Sequence, residues 1–184
     1  MSHMPCMLDD EILGQLERRW QELETTMPER MERGLDDAEI DRIAAPLGFP
    51  LPEEVRRVFR WHRGSSLAPL AVHRMLAPLE ASVQSTLDFR EDDNGWRPEW
   101  LSFMDEKPYV ALACGDLHDP VPVWHYDYVH LPPTRPVFAS IGELFLFWIA
   151  LIDNGYMYWD APFWRTHPLT PQDVLTKIVG VPSD

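Results

Sequence analysis

The sequence predicts an α+β domain, and three observations carry that prediction. Apolar residues recur at helical spacing through roughly the first third of the chain. Short apolar runs divided by turn residues follow over 100–126, and one long apolar run, capped at both ends, comes after them. Helices, then a meander of strands, then a buried helix is an order that parallel α/β folds do not use.

Leu13, Leu16, Trp20, Leu23 and Met27 are spaced by three and four, so a helix is expected over 9–27. Asp9, Asp10 and Glu11 complement its dipole and Pro28 stops it. A second helix starts after Asp36 or Asp37, runs through Ile40, Ile43 and Ala44 to Leu47, and ends at Gly48. A third opens at Pro52 with Glu53 and Glu54 in its first turn, turns Val55, Val58, Phe59 and His62 inward, and closes at Gly64. A short strand over 72–76 and a short helix over 79–87 come next. The runs 100–104, 109–114 and 121–126 read as strands, with turns between them. On the third, Val121, Val123 and His125 share one face, and Trp124 and Tyr126 the other. Ser140 caps a helix over 141–153 that Asn154-Gly155 closes, and Thr170-Pro171 opens a last short helix within an aromatic tail, 156–180.

The chain has 184 residues, 45% of them hydrophobic and 11% aromatic, enough to bury a core in a single domain over 5–184. Residues 1–4 contain Ser2-His3-Met4, the pattern of a cloning scar, and are set aside. Sixteen Lys plus Arg against thirty Asp plus Glu give a net charge of −14, which argues against nucleic acids and anionic membranes as partners and leaves basic proteins open. Two cysteines, Cys6 and Cys114, suit a reducing compartment; with neither a leader pattern nor an apolar run of membrane length, a cytoplasmic location is expected. Arginine outnumbers lysine fourteen to two, the usage of a GC-rich, and hence bacterial, genome.

Charge is densest over 88–106, where seven acids face only Arg90 and Arg97. Asp88, Glu91, Asp92, Asp93, Glu99, Asp105 and Glu106 are therefore candidates for an electrostatic docking face, with Asp116, Asp119 and Trp124 on neighbouring turns and strand; ordinary acidic solubility is the alternative. Asp116, His118, Asp119, His125, Asp127 and His130 are of metal-ligand type, and His125 and Asp127 share a strand face. No helical His pair accompanies them and turn residues of these types usually hydrogen-bond locally, so no metal is expected. Cys114 with Asp116 and His118 lies on one turn, where a triad rarely converges, and no nucleophile elbow or phosphate loop is present, so neither catalysis nor a cofactor is expected. Trp20 and Trp148 are candidate core. Trp61 falls beside the inner face of its helix, and Tyr156, Tyr158, Trp159, Phe163 and Trp164 either cover the sheet or anchor a partner.

The order of motifs resembles the SUKH superfamily. Leu51-Pro52-Glu53-Glu54-Val55-Arg56-Arg57-Val58 is similar to its opening helix and Arg63-Gly64 to that helix's end. Trp100 and the two hydrophobic strands after it, then Ser140-Ile141-Gly142-Glu143-Leu144, follow in the family's order, strongest over 36–153. The superfamily takes in yeast cell-wall-synthesis regulators and bacterial immunity proteins. The resemblance implies a mixed or antiparallel sheet of about four to six strands with helices mainly on one face. It also implies a non-enzymatic protein that binds another protein. The leading role is immunity: stoichiometric binding of a cognate toxin, often a nuclease. A scaffold or regulatory domain without a toxin partner is the alternative, and a small metal-dependent or hydrolytic enzyme around His118, His125 and Asp127 the remote one. A nuclease needs a basic surface to hold phosphates, and this chain's acidity is complementary to one.

Overall fold

The computed structural model describes residues 5–65, 75–91, 95–105, 109–115, 119–126, 135–171 and 173–174. Helix α1 (Asp10–Glu22) begins where the Asp9 side chain accepts the Ile12 N–H at 2.9 Å, and it buries Ile12, Leu13, Leu16 and Trp20. It stops short of the expected end because Glu24 adopts a left-handed φ of 50°. Pro28 then enters the first turn of α2 (Met27–Arg30), where a missing N–H costs nothing. Strand β1 (Met31–Arg33) follows. Asp36 is the cap of α3 (Asp37–Ala44): it accepts the Glu39 N–H at 2.8 Å while the Glu39 carboxylate accepts the Asp36 N–H at 2.9 Å. A 3-10 turn, Ala45–Leu47, closes on Gly48 at φ 79°.

Helix α4 (Glu53–Trp61) buries Val55, Val58 and Phe59, but the chain then extends into β2 (His62–Ser65), antiparallel to β1. Gly64 is thus a strand residue instead of the expected helix cap, and a Cβ there would stand 2.9 Å from the Pro78 Cα. Trp61 packs on α1, its ring stacked on Trp20 at 5.5 Å.

The central sheet is antiparallel, in the order β3 (Met75–Leu76), β4 (Trp100–Asp105), β5 (Tyr109–Ala113), β6 (Val123–Tyr126). Helix α5 (Leu79–Glu91) outruns the expected 79–87 and lies along β4. There Thr86 Oγ1 accepts the Ser102 N–H at 2.8 Å and donates to the Ser82 carbonyl at 2.7 Å, satisfying a strand donor next to the two-residue β3. Register alternation splits the strands between two cores. Leu101, Phe103, Val110, Leu112 and Val123 join the main core of the N-terminal helices and α6 (Ile141–Asp153), and an irregularity between Ser102 and Met104 brings Met104 to the same side. Trp100, Ala111, Trp124 and Tyr126 belong to a second cluster.

Ser140 caps α6 as expected, accepting the Glu143 N–H at 2.9 Å, and Gly155 after the helix takes φ 68°. The aromatic tail is a hairpin of β7 (Met157–Asp160) and β8 (Phe163–Thr166), which burial divides: Met157 and Trp164 are interior, Tyr158 and Phe163 exposed. The short helix expected after Pro171 lies largely outside the described residues. No helix among them is long and apolar enough to cross a membrane.

One buried acid ties these pieces together. Glu54, 1% exposed, accepts the Leu8 N–H at 2.6 Å and the Gly142 N–H at 3.2 Å on Oε1, and the Val121 N–H at 2.6 Å on Oε2. It thereby joins the N-terminal segment, the approach to β6 and the first turn of α6, whose dipole favours an anion. Burial raises the pKa of this carboxyl; the three N–H bonds act against the rise, and the neighbouring charge of Asp119 adds to it.

A candidate docking surface on the sheet

The aromatic second cluster occupies the sheet face away from the main core. Trp96 packs edge-on against Trp100 at 5.4 Å and Tyr126 at 5.0 Å, while Phe89 of α5 lies 4.7 Å from Trp96 and 4.9 Å from Tyr109. Trp100 and Trp124 are 5.4 Å apart, and the exposed Arg97 lays its guanidinium over both rings, at 5.1 and 4.8 Å. This floor is rigid because each ring is held by at least one other.

The acids around that floor differ from those elsewhere in what they meet. On the helical side, carboxylates and guanidinia are cross-paired. Arg56 reaches Asp37 at 2.9 Å and Asp41 at 2.6 Å, and Arg60 reaches Glu53 at 2.8 Å and Asp37 at 2.9 Å. Arg33 pairs with Glu39, Arg63 with Glu80, and Arg19 with both Glu22 and Asp153. Arg60, and then Arg56, hold the Asp37 carboxyl below the usual carboxylate range. Asp88, Glu91 and Glu99 make no ion pair among the described residues. Among the described residues Asp88 accepts from Gln84, at 2.7 Å. Neither arginine of the tract makes an ion pair with these acids, although Arg90 feels the charge of Glu99. Arg90 donates to the carbonyls of Leu47 and Pro98, and burial lowers its pKa, while Arg97 is stacked on the indoles. Ion pairs thus engage many of the acids on the helices, whereas Asp88, Glu91 and Glu99 beside the aromatic floor have none among the described residues.

The other expected contact residues divide. Glu99, half-buried, precedes β4 beside Gly115, where a Cβ would stand 2.2 Å from the Glu99 Cβ. Asp105 ends β4. Asp119 accepts the Glu54 N–H at 3.0 Å, so its carboxylate serves the start of α4. Trp124 corrects the expectation of a presented ring: it is 8% exposed and lies under Arg97, so it belongs to the floor. Asp92, Asp93, Glu106 and Asp116 lie outside the described residues. So do His118, Asp127 and His130 of the ligand-type cluster; no three His, Cys, Asp or Glu converge among the described residues. Arg97, Phe89 and Tyr109 were missed. Their signal was positional, since Trp100, Trp124 and Tyr126 on one sheet face require neighbours to cover them.

A cleft between α1 and α4, lined by Asp10, Gly14, Glu17, Arg57 and Trp61, is internally partnered: the Trp61 indole donates to Glu17 at 2.6 Å and Arg57 to the Leu8 carbonyl at 3.1 Å.

No curated protein sequence matches the chain. A family model described as SMI1/KNR4 (SUKH-1) matches residues 34–146, from the segment that leads into α3 to the middle of α6. That match takes in the central sheet, its aromatic face and Glu54 with its Val121 and Gly142 donors, and with more than half of the chain covered, the protein belongs to the SMI1/KNR4 family (SUKH-1).

Proposed function

We propose that this protein is a bacterial immunity protein that neutralises a cognate toxin, of basic surface such as a nuclease's, by stoichiometric binding without catalysis. The observation that carries this reading is the unpaired acidity of Asp88, Glu91 and Glu99 beside an aromatic floor, in a family-level protein-binding domain of net charge −14. Unpaired acidity steers a basic partner at long range, and the buried aromatic floor holds the backbone that carries these acids and the exposed Arg97 in place. The surface extends in sequence to Asp92, Asp93, Asp105, Glu106 and Asp116.

The test compares capture from a lysate of the source strain by the wild type, by a triple variant Asp88→Lys, Glu91→Lys, Glu99→Lys, and by a control Glu24→Lys, Glu29→Lys. One basic protein, held in near-equal amount, eluted by salt, lost in the triple variant and retained in the control, is the expected result. Its toxicity on expression should be relieved by co-expression of this chain. Binding and salt dependence unchanged in the triple variant would remove the docking face. Many weakly held proteins, with no toxicity to relieve, would favour a scaffold role.

A further inference from the structure

The β7–β8 ribbon follows the family-matched region, which ends at residue 146, and its outward face is a small tile of four side chains. Tyr158 stands opposite Arg165 and Asp160 opposite Phe163. Tyr158 is 42% and Phe163 49% exposed, unusual for rings in a chain that buries most of its aromatics. Arg165 lies 5.7 Å from the Phe163 ring and 3.5 Å from the Asp160 carboxylate. The inward residues, Met157 and Trp164, are buried, so the ribbon is anchored and the tile is presented.

Two features of the tile identify its occupant. It carries one acid and one base, so it is neutral in a chain of net charge −14, a poor match for a basic partner and a place where two acidic chains can approach. It is also self-complementary. A two-fold axis lying across the two strands, midway between the Tyr158/Arg165 and Asp160/Phe163 pairs, sets Arg165 of one copy over the Phe163 ring of the other and Tyr158 against the other's Asp160. Both are favourable contacts, and each occurs twice, as an isologous interface requires.

We propose that the β7–β8 ribbon is a self-association surface whose partner is the same ribbon of a second copy of this chain. The tile is small, so the dimer is weak and reversible, with a dissociation constant on the order of 100 µM. It also responds to salt in the opposite sense to the docking of a basic partner: screening the repulsion between two chains of like charge strengthens it.

Sedimentation velocity of the full chain between about 5 and 500 µM, at low and at high salt, tests this. The expected result is a sedimentation coefficient that rises with concentration, more steeply in high salt. Phe163→Ser should weaken association by at least about tenfold, and Leu169→Ser, exposed but off the tile, should leave it unchanged. Both sites are on the surface, and circular dichroism confirms that each variant is folded. A monomer at every concentration overturns the proposal, as does association that Phe163→Ser leaves intact. Neither outcome bears on the acidic docking face.

Discussion

Replacing Glu54 with methionine tests the junction on which the arrangement of α4, α6 and the N-terminal segment depends. Methionine matches the length and flexibility of glutamate but accepts no hydrogen bond of comparable strength. The Leu8, Val121 and Gly142 N–H groups would lose their acceptor inside the protein. Each orphaned buried donor costs about 1–3 kcal/mol, so the gross loss is at least about 3 kcal/mol. Releasing a desolvated carboxylate offsets part of that, because burial outweighs the three hydrogen bonds in setting the pKa of Glu54. A net loss of about 2–4 kcal/mol follows, read from urea unfolding at neutral pH. Glu54→Gln keeps an oxygen for the donors and removes the buried charge, at the cost of turning an NH2 toward an N–H. It should stay within about 1 kcal/mol of the wild type. The pH dependence has a fixed sign. The folded-state pKa of Glu54 is raised above its ordinary 4.5, so the folded chain binds the proton more tightly. The stability Glu54 contributes is full below 4.5 and is lost as pH rises through the raised value. The wild type should therefore gain on Glu54→Gln as pH falls from neutral toward that window. A methionine variant as stable as the wild type, or a wild type that gains on the glutamine variant as pH rises, would refute the reasoning.

Two glycines predict opposite signs: a Cβ on Gly142 would stand 2.3 Å from the Cys6 carbonyl oxygen, so Gly142→Ala should cost about 1–3 kcal/mol in urea unfolding, whereas at Gly14 it meets only the flexible Arg18 guanidinium at 3.5 Å, so Gly14→Ala should add about 0.5–1 kcal/mol. Equal effects of the two would argue against the close packing of the N-terminal segment on α6. Cys6 is exposed and Cys114 buried, with burial pushing the Cys114 thiol up, so a thiol reagent should label one cysteine quickly and the second only on unfolding; two fast thiols would contradict the placement of β5.

What could be read from the sequence was what depends on local periodicity and caps. The stripe of α1, the capping acids of α3, Ser140 at α6 and the strands of the central meander needed only spacing and turn chemistry. The errors arose where distant packing overrode local signals. Gly64 looked like a helix cap and became a strand residue because Pro78 packs against its backbone. The aromatic tail became a hairpin whose two faces have opposite environments, which no count of aromatics reveals. Glu54 looked like one of two first-turn acids, and only the three segments that converge on it distinguish it from Glu53.

The candidate docking surface was half legible for the same reason. A sequence states how many acids there are but not which of them are neutralised, and it is the remainder that a partner meets. Asp37 with Asp41, and Arg56 with Arg60, each stand four apart, so two helices bring matching charged stripes together and cancel them. On the other side, the cations of the acidic tract turn to carbonyls and to indole faces. Arg97 ties the two halves of the surface together. While it stays over Trp100 and Trp124 it makes no ion pair with Asp88, Glu91 or Glu99 among the described residues, so the aromatic stacking leaves those carboxylates open to a partner's cations. The unpaired state of the acids and the rigid floor of the proposed interface therefore depend together on one side chain and on the rings beneath it.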